Sequence, residues 1–131
     1  MKLFLQVEFN RSHHEGLGNL MLKYASSQAD DIMGTDLNSH TEPAIADMVV
    51  RMIQQAESVF LLVHATDPNL SPGVASRVFE ALKPPASKVQ YAVLCGDHRT
   101  SESFLTNFDE RFVKEHDPAK IKAMIRAFSG Q

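Results

Sequence analysis

Five consecutive apolar residues, Val59-Phe60-Leu61-Leu62-Val63, constrain this chain more than any other feature of it. A strand with one wet face alternates apolar and polar residues, whereas a continuous apolar strand has both faces covered, the usual state of a parallel sheet sandwiched by helices. The run is also the longest apolar stretch present, far short of the roughly 18 residues or more that cross a bilayer. It predicts a central strand in an α/β domain.

The rest of the chain supplies partners for such a strand. Residues 2 to 9 alternate, with Leu3, Leu5, Val7 and Phe9 on one face and Phe4, Gln6 and Glu8 on the other, so they read as the first strand. Leu17, Leu20, Met21, Tyr24 and Ala25 then recur at helical spacing. Ile32-Met33, bounded by Asp31 and Gly34, suggests a short second strand. Ser39-His40-Thr41-Glu42 has the form of a capping box ahead of Pro43, and Ile45, Met48, Val49, Met52 and Ile53 form the stripe of the helix that follows. Ser71-Pro72 opens a third helix over Val74, Val78, Phe79 and Leu82, which Pro84-Pro85 stops. Val89 to Cys95 is a strand, a short helix lies around Phe104 and Leu105, and Arg111 to Lys114 is an edge strand. Asp117-Pro118 caps a last helix with Ile121, Met124, Ile125 and Phe128 on its inner stripe. Ile45, Met52, Ile121 and Ile125 are expected in the core.

This order implies one domain over residues 1–131: an α/β three-layer sandwich with a parallel sheet of four to five strands in the flavodoxin-like order 2-1-3-4-5. There is no internal repeat or linker. With 44% hydrophobic and 22% charged residues, the composition is that of a globular protein. Acidic and amide residues interrupt the apolar N-terminal stretch, which reads as a strand rather than a signal peptide. The single cysteine, Cys95, forms no internal disulfide, so a cytoplasmic location is expected. The net charge of −3 and the scattered basic residues argue against nucleic acid, since Lys114, Lys120, Lys122 and Arg126 read as a solvated helix face.

Ligands of such sheets bind beyond the carboxyl ends of the strands, at the switch point between the first and third. All six histidines fall at or near that edge: His13 and His14, His40, His64, His98 and His116, together with Asp36, Asp67 and Asp97. The ligand-binding candidates are therefore Asn10, Arg11, His13, His14, His64, Asp67, Asp97 and His98. Imidazoles and carboxylates together suit metals or proton transfer. No His-x-x-x-His or His-Glu-x-x-His spacing is present, however, and polar residues collect in loops anyway, so neither a metal nor a cofactor is expected. Gly16 and Gly18 complete neither a dinucleotide nor a P-loop pattern and read as turn residues. Gln6 and Glu8 on one face of a buried strand need partners. Either that strand is partly exposed, or Glu8 reaches into the site. Cys95 reads as a buried, inert thiol.

From Glu42 to Cys95 the chain resembles a TIR-type domain. The resemblance is carried by the apolar strand 59–63, the loop with Asn69-Leu70-Ser71, the helix with Arg77-Val78-Phe79-Glu80-Ala81-Leu82, and the strand Tyr91-Ala92-Val93-Leu94. In enzymatic members a helix glutamate serves cleavage of the glycosidic bond of NAD, and nucleoside deoxyribosyltransferases, of similar architecture, use a helix glutamate as nucleophile. The resemblance makes Glu80 the candidate catalytic acid, with Glu8 as a substitute from the first strand. Tryptophan is absent, and counting from Ser71 the family's glutamate slot falls on Arg77, one turn before Glu80. A helix starting at Ser71 puts Glu80 on the order of 12 Å below its pocket end. Phe112-Val113-Lys114 and Asp117-Pro118 look like the end of a receiver domain, but Val63-His64 stand where its phosphoacceptor aspartate would be.

The expected function is a TIR-like or flavodoxin-like signalling or binding module, acting through its surface and a small anionic or nucleotide ligand at the carboxyl edge. Its partner is a protein or a second copy of the chain, and neither nucleic acid nor a membrane. The alternative is a nucleotide N-glycosidase or a nucleoside deoxyribosyltransferase-like enzyme.

Overall fold

The apolar run lies in the middle of a fully parallel sheet, in a computed structural model that describes residues 1–10, 20–83 and 88–131. Strand β3 (Ser58–Ala65) pairs with β1 (Lys2–Phe9) on one side and β4 (Val89–Gly96) on the other. β2 (Ile32–Asn38) and the short β5 (Phe112–Lys114) form the edges, giving the order β2-β1-β3-β4-β5. The expected flavodoxin-like order is therefore the observed one. A bulge between Val59 and Phe60 shifts the β3–β4 register by one residue, so that Val59 faces Val89 and Phe60 faces Tyr91.

Period-two alternation divides the core between the two faces. Odd residues of β1 and β3 (Leu3, Leu5, Val7; Val59, Leu61, Val63) pack under α2 (Pro43–Gln55), α3 (Ala75–Leu82), α4 (Arg99–Leu105) and the 3-10 turn η1 (Thr106–Arg111). Even residues (Phe4, Phe60, Leu62) and Val93 pack under α1 (Leu20–Gln28) and α5 (Pro118–Ser129), whose Ile121, Ile125 and Phe128 are buried. Asp117 caps α5 by accepting from the Ala119 amide at 3.0 Å, as its sequence predicts.

Several local expectations are corrected. β2 runs seven residues rather than two, paired with β1 from Ile32 to Asn38, and Gly34 lets α1 close in, since a Cβ there would meet Leu22 Cδ1 at 2.7 Å. Asp36 is consequently an exposed mid-strand residue and not an edge residue. Helix α2 starts at Pro43, so its N-cap is Glu42, with no side-chain bond, and the Ser39 box is not formed; Thr41 Oγ1 accepts from the Asn38 amide at 2.9 Å. The inner face of α2 is Ala46, Val49 and Ile53, while Ile45 and Met48 are 42% and 51% exposed. Helix α3 begins at Ala75 rather than at Ser71-Pro72, after a turn at Gly73. That glycine has φ +56°, and a Cβ on it would lie 2.4 Å from the Ser39 carbonyl. Of the first helix's expected stripe, Leu17 lies outside the described residues and Leu20 is exposed. No helix among the described residues is long and apolar enough to cross a membrane.

Truncating Ile121 or Ile125 to Ala is expected to cost about 2 to 5 kcal/mol, as buried large-to-small changes do. Ile45→Ala should cost about 1 kcal/mol or less. Urea denaturation of the three variants checks the corrected helix faces, and equal losses at Ile45 and Ile121 would contradict them.

Candidate functional site

Where β1 and β3 leave the sheet, their even-numbered face changes from apolar to polar. Register puts Asn38, Glu8, His64 and Cys95 side by side across β2, β1, β3 and β4. The Glu8 carboxylate is the hub: it accepts from Gln6 Nε2 at 2.6 Å, from Asn10 Nδ2 at 2.6 Å and from His64 Nδ1 at 2.8 Å. Thr66 Oγ1 donates to Asn10 Oδ1 at 3.0 Å, which turns the Asn10 amide nitrogen toward Glu8. Glu8 and His64 side chains are 16% and 12% exposed, so the pair lies at the rim between core and solvent.

A carboxylate only accepts, so His64 Nδ1 carries the hydrogen of this contact and Nε2 is the free lone-pair position of the neutral ring. Among the described residues Nε2 has no partner. An imidazole with one nitrogen fixed by a carboxylate and the other open is the orienter and base half of many proton-transfer sites. The competing structural role is also visible, since the same bonds satisfy polar groups that a covered strand must otherwise bury unpaired. For Gln6 and Glu8 the outcome is that β1 is covered, Gln6 is 1% exposed, and its Nε2 donates to the Glu8 carboxylate.

Cys95 lies across from His64 on β4 and is buried. Burial pushes its thiol up from the ordinary range, and the carboxylates of Glu8 and Glu115 add to that. The structure therefore makes it a protonated, hidden thiol rather than a nucleophile.

His98 is 2% exposed and uses both ring nitrogens inside the protein. Nε2 meets the Leu70 carbonyl at 2.6 Å, and Nδ1 accepts from the Ser101 amide at 3.2 Å and meets its hydroxyl at 2.7 Å. Its ring stacks on Phe9 with centroids 4.1 Å apart. It thus pins the β3–α3 loop to the start of α4. Two residues earlier, Gly96 has φ +104°, and a Cβ there would lie 1.9 Å from the Ala65 carbonyl, so the end of β4 requires glycine.

Glu8, Asn10 and His64 are thus brought together, joined by Gln6 and Thr66, which sequence reasoning did not place in the site. Asp67 is buried in the adjoining loop, where it accepts from the Asn69 amide at 3.1 Å. Asp97 is 75% exposed and pairs with Lys114 at 3.3 Å. Arg11, His13 and His14 lie outside the described residues. Glu80 is elsewhere: sixth in α3 rather than three turns down, 68% exposed, and paired with Lys83 at 3.0 Å. No group of three or more His, Cys, Asp or Glu suited to a metal occurs among the described residues.

No protein-family model matches the chain, and no curated protein does. Among solved structures it is similar to the type B ribose 5-phosphate isomerase of Trypanosoma cruzi, with 14% identity over 99% of this chain and 98% of that one and a TM-score of 0.33. So distant a likeness carries no residue roles across, and the TIR-type resemblance rests on sequence pattern alone.

Two outcomes test this geometry. His98→Ala strands the Leu70 carbonyl and the Ser101 amide and removes a stacked ring, so a loss of about 2 kcal/mol or more is expected in thermal or urea unfolding. A loss near zero would mean that the loops are held otherwise. Iodoacetamide at pH 8 should alkylate Cys95 in the folded protein at least about tenfold more slowly than in the urea-unfolded chain, because both the raised thiol and its burial reduce accessible thiolate.

Proposed function

We propose that this chain is a small flavodoxin-like binding module, TIR-like in its helix and strand pattern, whose ligand is a nucleotide held at the carboxyl edge between β1 and β3. The observation that carries the reading is the Glu8 carboxylate, fixed by three donors from Gln6, Asn10 and His64 at the switch point of the sheet. A carboxylate has about four acceptor positions, so one remains for a ligand hydroxyl or N–H. The open Nε2 of His64 offers a second polar contact beside it. Together they suit the hydroxyls of a ribose, and Arg11, His13 and His14, which follow Asn10 in sequence and lie outside the described residues, are the proposed partners of its phosphate. On this reading the module signals by binding, and a protein or a second copy of the chain reads the bound state.

The enzyme reading survives in one form. Glu80, on the outer face of α3, has no route to a bound nucleotide, whereas Glu8 with His64 has the parts to stabilise an oxocarbenium-like state or to move a proton. On this second reading glycosidic cleavage belongs to Glu8.

Calorimetric titration with AMP and NAD tests both readings. The module binds at least one of them without turnover, and His64→Ala or Glu8→Gln weakens binding by about tenfold or more, the worth of one lost polar contact of about 1.4 kcal/mol. Absence of binding to either ligand refutes the module. Release of nicotinamide or free base by the wild type, lost in Glu8→Gln, establishes the enzyme instead.

A further inference from the structure

An open cleft lies away from the Glu8 cluster, on the opposite helical layer, with polar side chains around a largely apolar floor. It has a volume of about 490 Å³ and is lined by Lys83 at the end of α3 and by Arg99, Thr100, Ser103, Phe104 and Asn107 of α4 and η1. The spacing explains the convergence: positions 99, 100, 103, 104 and 107 recur at i, i+1, i+4, i+5 and i+8, one helical face continued into the 3-10 turn. Two cations thus share one cleft in a protein whose net charge is −3.

Three of the polar side chains in this cleft are uncommitted, whereas Asn107 Nδ2 donates to the Phe104 carbonyl at 2.9 Å. Among the described residues the Arg99 guanidinium and the Thr100 and Ser103 hydroxyls make no side-chain hydrogen bond or ion pair. Lys83 pairs with Glu80 at 3.0 Å, both side chains more than half exposed, an i,i+3 contact of the weak, salt-screened kind. The other nearby acid, Glu102, is taken by Lys114 at 2.5 Å. Phe104 supplies the apolar part: half-buried, it stacks one face on Phe79 with centroids 4.7 Å apart and borders the cleft.

We propose that this cleft is a binding site for a small phosphate monoester with an apolar or planar carrier. The phosphate is met by Arg99 in the bidentate manner of guanidinium and by the Thr100 and Ser103 hydroxyls, with Lys83 closing the far side. The carrier lies over Phe104, and Asn107 gives its rim a hydrogen-bonding edge. The volume is within the roughly 300 to 1,000 Å³ common for small-molecule sites. Glu80 then acquires a role unlike the one its helix position suggests: as the acid paired with Lys83, it competes with an anion for that ammonium.

Phenyl phosphate is the probe, followed by amide chemical shifts of the full chain and compared with inorganic phosphate and phenol. Saturable shifts at Thr100, Ser103 and Asn107 are expected, with phenyl phosphate binding more tightly than either control. Arg99→Gln should weaken it about tenfold or more. Glu80→Gln should tighten it several-fold, an effect that added salt diminishes. Both substituted side chains are exposed, so the fold is retained. Shifts absent from α4 and η1, an affinity unchanged in Arg99→Gln, or equal binding of inorganic phosphate would each overturn the proposal. Shifts confined to Asn10, His64 and Thr66 would place the anion at the other site and overturn it as well.

Discussion

Strand β3 gives up every residue from Val59 to Val63 to the core, alternately to one helical layer and to the other. Phe60 and Leu62 face α1 and α5, while Val59, Leu61 and Val63 face the layer of α2 and α3, and all five are fully buried. Full burial on both faces leaves the backbone groups no solvent, so both edges of β3 must pair, and they do, with β1 and β4. The remaining strands can only add outward from that trio. The aromatic stack of Phe4, Phe60, Tyr91 and Phe128 follows from the same alternation, since each comes from an element facing the α1 and α5 side.

The same alternation that buries Phe60 and Leu62 delivers His64 to the end of their row, next to Glu8. Parallel strands in register put like positions side by side, so polar residues two steps past the core on each strand meet without any long-range instruction. The site is a boundary phenomenon, the first row at which the sheet is no longer covered by apolar helix faces. Its polarity is tolerated because the Glu8 carboxylate accepts from Gln6, Asn10 and His64; an unpaired carboxylate at that depth would cost several kcal/mol.

Much of this was legible in the residues. The apolar run identified β3 and its central place, Asp117-Pro118 placed the start of α5, and the alternation of strands and helices implied the sheet order. What failed were features decided by contacts between distant segments. Ile45 and Met48 obey helical period as well as Val49 and Ile53 do, but only tertiary packing selects the stripe that turns inward. The start of α3 depends on how closely Gly73 approaches the β2–α2 turn. In the site, Glu8 was singled out because a carboxylate on a covered strand demands partners, and His64 because it ends β3. Their meeting needed the register, which no local pattern encodes. Thr66 was missed for the same reason: its bond to Asn10 spans 56 positions of sequence.

The charges on β1 show why polarity on a covered strand is informative about place as well as partner. Its even face begins with Lys2, 7% exposed, whose ammonium reaches the carbonyls of Phe128 and Ser129 at 3.2 and 2.9 Å. It ends with Glu8. In a parallel α/β sheet the helices run against the strands, so their C-terminal ends, carrying partial negative charge, gather at the amino edge, and their N-terminal ends, partially positive, gather at the carboxyl edge. A cation is thus matched at the first position and an anion at the last; the reverse order would oppose both fields. Glu8 is therefore already compensated by its donors and by the field of the layer, and a ligand beside it must bring a donor rather than a second negative charge. On the proposed function, this separates the nucleotide into a ribose end at Glu8 and a phosphate end that has to be met by other groups.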